Sequence, residues 1–141
     1  MTTKRTLTMS TALLAVALGI SASAFASPPR SSSLLIQHQT RGCHSWSLNG
    51  GAFNARQAAT LGVKGTLTIR NNDVMPHTLV QVSGPKAQLK TPLMAHMSAT
   101  AKVTFPAAGV YVFTTKAGED YMKGVKTIGE DNVLRLVVRV I

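Results

Sequence analysis

The chain is predicted to fold as an all-β sandwich or barrel, on three observations. Apolar residues recur at every second position in several short runs. Turn residues separate those runs at near-regular intervals, and no stretch shows the 3.6-residue period of an amphipathic helix.

The elements follow in order. Leu34 to Gln39 is expected as the first strand. His44-Ser45-Trp46-Ser47-Leu48 alternates next, setting His44, Trp46 and Leu48 on one face and Cys43 on the other. Asn49-Gly50-Gly51 is a turn, and Ala58 to Val63 a weak strand that Lys64-Gly65 turns into Thr66-Leu67-Thr68-Ile69. A polar connection leads to Leu79-Val80-Gln81-Val82, and Ser83-Gly84-Pro85 ends that strand. Lys86 to Met97 is expected as a loop with a short helical turn. Thr100 to Phe105 alternates, Pro106 to Gly109 turns, and Val110 to Thr114 is built of strong β-formers. Lys116 to Glu130 is a long polar excursion before the closing β-branched strand, Val133 to Ile141.

The first residues have the form of a secretory signal: Lys4 and Arg5, an apolar core from Leu7 to Ile20, then Ala24-Phe25-Ala26 as a small-x-small cleavage site. The apolar run falls short of the roughly 20 residues that span a bilayer, so cleavage after Ala26 is expected, with no stable membrane insertion afterwards. That divides the chain into a signal peptide (1–26), a lead-in (27–42, Pro- and Ser-rich at its start) and one domain (43–141), and sends it to the periplasm or beyond. Without Lys4 and Arg5, thirteen basic residues face five acidic ones, about +8. They are scattered from Arg30 to Arg139 with few aromatics between them, which argues against nucleic acid as a partner. Cys43 is the single cysteine, so no disulfide can form within the chain.

The connection Asn71-Asn72-Asp73-Val74-Met75-Pro76-His77-Thr78-Leu79 carries the most chemistry. It presents a thioether and an imidazole two residues apart, donors that suit a soft or borderline transition metal, copper above all. A polar strand connection whose His caps a strand is the plainer alternative. No Ser/His/Asp set, paired carboxylates or three-histidine motif stands out, so an enzyme is not expected.

From Trp46 onward the order of motifs resembles the cupredoxins, the copper-binding β-sandwich family. The landmarks are Phe53, Gly65, Asn71-x-Asp73 leading to His77, Phe105-x-x-x-Gly109-x-Tyr111-x-Phe113, and Met122-Lys123-Gly124 before the last strand. The resemblance implies a cupredoxin-like Greek-key β-sandwich with a metal pole formed by loops. It also marks a departure. Electron-carrying members place a Cys, then a His, then a Met after the Tyr-x-Phe strand; here Thr115 stands at the Cys position and no His follows before Met122.

Carried over residue by residue, the resemblance implies copper ligands drawn from His77, Met122, His96, Met75 and Met97, a set that favours Cu(I) and tolerates Cu(II). Met75, Met94, Met97 and Met122 are all expected on loops at one pole, and neither His77 nor Met122 in the alternating core. Asp120 is a second-rank ligand, or an orienting group for a His. Cys43 and His44 are also of second rank, because the strand they begin is expected to run toward the metal pole and so to start at the opposite end. The functional expectation is an exported protein that buffers, delivers or confers tolerance to copper, with the copper ion and an envelope copper-handling or redox protein as partners. A metal-free partner-binding sandwich and an electron carrier with a rebuilt site remain the alternatives.

Overall fold

Period-two alternation becomes two-faced strands. Along Thr66–Asn71, Leu67, Ile69 and Asn71 are buried while Thr68 and Arg70 are exposed, and along Arg135–Val140 the buried residues are Leu136, Val138 and Val140. The computed structural model describes residues 26–38, 44–116 and 134–141. Within them it shows β1 (Ser31–His38), β2 (His44–Leu48), β3 (Phe53–Asn54), β4 (Arg56–Leu61), β5 (Thr66–Asn71), β6 (His77–Ser83), β7 (Gln88–Lys90), β8 (Leu93–Met94), β9 (Thr100–Thr104), β10 (Gly109–Thr115) and β11 (Arg135–Val140).

The strands form an all-β sandwich. One sheet has the order β3-β2-β1-β5-β9-β7, the other β4-β11-β10-β6-β8. From β3 to β10 the chain changes sheet at nearly every element, so successive strands face each other across the core instead of pairing in hairpins. Two pairings are parallel, β1 with β5 and β4 with β11; the other pairings are antiparallel. A bulge at Val112/Phe113 shifts the register of β10 on β6.

The core lies between the sheets. Leu34, Ile36, Trp46, Leu67, Ile69 and Val103 come from one side and Leu79, Tyr111, Phe113, Leu136 and Val138 from the other. Each such side chain contributes about 1.5–3 kcal/mol on burial. Trp46 stays satisfied by donating Nε1–H to the Ala55 carbonyl at 3.0 Å. Phe105 meets Tyr111 edge-on at 4.9 Å and Phe113 at 6.1 Å.

Several expectations shift. The first strand begins at Ser31, within the expected lead-in, because Ser31 to Ile36 pair with β5. The 86–97 segment holds no helical turn; β7 and β8 add edges to both sheets. Met94 is a strand residue and fully buried in the core, not a loop residue.

Candidate functional site

One end of the sandwich gathers Asn71, Asp73, His77 and Thr115, buried polar residues of the described chain. β5 ends there at Asn71 and β6 begins there at His77, both 0% exposed. Asn71 ties three segments together. Its Nδ2 donates to the carbonyls of Met75 (2.7 Å) and Met94 (3.2 Å), and its Oδ1 accepts from the Asp73 amide at 2.8 Å. Its main chain accepts from the Ser98 amide (2.7 Å) and donates to the Ala99 carbonyl (2.9 Å). Only an amide side chain offers donors and an acceptor together, so Asn is the residue this junction requires.

Asp73 continues the network. Its Oδ1 accepts from the Met75 amide at 3.2 Å, while Oδ2 lies 3.4 Å from His77 Nε2, with both side chains at most 1% exposed. A carboxylate oxygen accepts, so this pairing favours a proton on Nε2 and leaves Nδ1 as the nitrogen through which His77 would hold a metal. Pro76 restricts the backbone just ahead of the imidazole. His77 therefore belongs to the inward face of β6, contrary to its expected place outside the alternating core. The reason is this buried carboxylate, which satisfies the ring where water cannot.

Around His77 the sulfur residues divide. Met94 is its Cα partner across the β6–β8 ladder and is fully buried; Met75 is 9% exposed beneath its loop. His96 and Met97 lie on the β8–β9 loop at the same end, but at the surface, Met97 being 48% exposed. His96 Nδ1 is 2.9 Å from the Met97 carbonyl, which can only accept, so Nδ1 carries the proton. Thr115 ends β10 at this same end. It pairs with Leu79 and is 7% exposed, and the next residue, Lys116, donates its amide to Thr78 at 2.9 Å.

Met122, Asp120 and Cys43 lie outside the described residues. His44 does not, and its expected position is corrected. β1 runs parallel to β5, which ends at the His77 pole, and β2 runs antiparallel to β1. β2 thus starts at the His77 pole and runs away from it. The expectation failed because it assumed a strand direction that only the parallel β1–β5 pairing reverses. Asn71, Asp73 and His38, the Cα partner of His44, belong to this end although none was an expected ligand. The Asn71-x-Asp73 motif was the available signal for the first two.

Among the described residues, no group of three His, Cys, Asp or Glu is arranged to hold a metal ion. The described donor that best fits one is the buried, carboxylate-backed imidazole of His77, with Met94 as its Cα partner across the β6–β8 ladder. No helix among the described residues is long and apolar enough to cross a membrane.

No protein-family model matches the chain. No curated protein sequence matches it either. Among solved structures it is similar to a purple cupredoxin from Nitrosopumilus maritimus, at 17% identity and a TM-score of 0.48, covering 77% of this chain and 98% of that one. It is also similar to an oxidised amicyanin variant (22% identity, TM-score 0.46, 77% and 80% covered) and to an amicyanin variant in the Cu(I) state (26%, 0.42, 60% and 69%). Its two-sheet sandwich stands on its own strand order.

Proposed function

We propose that this is an exported, non-enzymatic copper-binding protein that handles copper in the periplasm by buffering, delivering or conferring tolerance to it. The observation that carries the reading is His77: a fully buried imidazole with a buried carboxylate at its Nε2, Met75 two residues before it and Met94 its Cα partner across the ladder. A buried histidine held by a carboxylate is the arrangement that orients a metal ligand and raises its basicity. The motif resemblance and the signal-like start of the chain agree with it.

When bound, copper would supply a cation that cycles between Cu(I) and Cu(II). The chain's part is to present His77 Nδ1, held in orientation by Asp73, with Met75, Met97 and Met122 as candidate thioether donors and His96 as a surface imidazole. Asp120 and Cys43 remain second-rank candidates. Thr115 offers a hydroxyl where a blue copper site needs a thiolate, so electron transfer of the ordinary kind is not the proposed role.

The test is titration of the purified protein with Cu(I) and Cu(II) against a competing chelator, alongside His77→Gln. One copper per chain is expected, with Cu(I) held more tightly, no intense thiolate-to-copper colour in the Cu(II) form, and at least about a tenfold affinity loss in the variant. Absence of copper binding overturns the reading. Intense visible absorption redirects it to Cys43 and an electron-carrying site.

A further inference from the structure

The two sheet faces that turn away from the core differ. On the first sheet, β5, β9 and β7 present Thr68, Arg70, Thr100, Lys102, Gln88 and Lys90, an ordinary solvated set. On the second sheet, the outward positions of β11 are Arg135, Val137 and Arg139, alternating with buried Leu136, Val138 and Val140. Partners in a ladder share one face of the sheet. Arg56, Ala58 and Thr60 of β4 therefore lie beside them, and Val110 and Val112 of β10 on the other side. Val80 of β6 extends the face through its partner Thr114. The middle row, Ala58, Val137 and Val112, is apolar, and arginines stand along both of its margins.

Two features of that face are costly to the fold alone. Val80 and Val110 stay 38% and 47% exposed, although apolar surface gains by leaving water. Arg56 and Arg135 are Cα partners, and like charges directly opposite destabilise a sheet. The ten lysines and arginines among the described residues are all exposed, and the one described acid, Asp73, is buried. Every exposed formal charge among the described residues is therefore positive. A partner that is anionic and also shields valine from water would offset both costs.

We propose that the outer face of β4, β11, β10 and β6 docks the protein on a bilayer rich in anionic phospholipid. Guanidinium forks match phosphate oxygens in a bidentate fashion, and valines beside them reach the boundary between headgroups and acyl chains. The other exposed cations favour an extended anionic surface over an acidic protein. Attraction to such a surface does not need charges matched point by point, and each basic residue near it adds to the binding. Docking of this kind uses no membrane-spanning segment and is independent of the copper reading.

The experiment floats the processed protein, without added metal, with vesicles of phosphatidylglycerol and phosphatidylcholine, and with phosphatidylcholine alone. Binding is expected to the anionic vesicles only, weakening as salt rises. Loss of one arginine should cost about fivefold, so Arg135→Gln with Arg139→Gln should bind at least about tenfold more weakly. Lys90→Gln with Lys102→Gln removes the same charge from the opposite face and should cost at most about twofold. Circular dichroism checks that both double variants fold. In the wild-type protein, vesicles should slow phenylglyoxal modification of Arg135 and Arg139 but not of Arg70, a readout that needs no variant. Equal losses in the two double variants, or equal protection of Arg70, overturn the assignment of this face. Failure to bind anionic vesicles overturns the proposal outright, and binding to soluble polyglutamate in that case turns the face over to an acidic protein.

Discussion

The two ends of the sandwich are closed by different chemistry. At the end away from His77 the closure is main chain. Lys64 donates its amide to the Phe105 carbonyl (2.8 Å), Phe105 returns one to Gly65 (3.1 Å), Val63 donates to Ile141 (3.2 Å) and Ile141 to Leu61 (3.0 Å). Side chains there pin turns: Tyr111 Oη–H donates to the Ala107 carbonyl at 2.7 Å, and Gln81 Nε2 donates to the Pro85 carbonyl at 2.6 Å. At the His77 end main-chain bonds are joined by a buried network through the side chains of Asn71 and Asp73. Main-chain closure asks little of residue identity. Side-chain closure buries polar groups that cost stability unless they are matched, so residue identity matters more there.

Each substitution below bears on that contrast, and the largest effect should come from the main-chain end. Gly84 has φ +100°, and a Cβ there would collide with the Val110 carbonyl oxygen and the Tyr111 Cα. Gly84→Ala should cost about 3 kcal/mol by denaturant unfolding, while the folded fraction keeps wild-type copper affinity. If copper binding fell as well in the folded fraction, the two ends would be coupled and the contrast would break.

Asn71→Ala comes next. It removes the side-chain partner from the Asp73 amide and from the Met75 and Met94 carbonyls, for an expected loss of about 2 kcal/mol. Unlike Gly84→Ala it should also weaken copper binding, because it releases the loop that aims His77. Unchanged copper affinity in a destabilised Asn71→Ala protein would reduce this network to a structural one.

His77→Ala comes third, since it empties a buried position. A loss of about 1–2 kcal/mol is expected in thermal unfolding. A fully tolerated change would mean that Asp73 finds equal compensation elsewhere. Tyr111→Phe should have the smallest effect, about 1 kcal/mol, with no change in copper affinity.

The sequence by itself determined the longer strands, because alternation is local: Leu67 and Ile69 against Thr68 and Arg70 can be read without knowing any neighbour, whereas the short β7 and β8 were read as a loop. It also marked the Asn71–His77 connection, since turn residues followed by Met and His are visible in one window. It did not determine which end of the molecule a strand begins at. His44 was expected away from the pole, and β1 pairing in parallel with β5 brings it back, beside a His38 that had no reason to stand out. Nor did it determine that Met94 would be core or that His77 would be buried. Those outcomes depend on partners distant in sequence, Asn71 for the Met94 carbonyl and the facing sheet for His77. Burial and strand direction are properties of the assembled sheets, whereas alternation belongs to the chain alone.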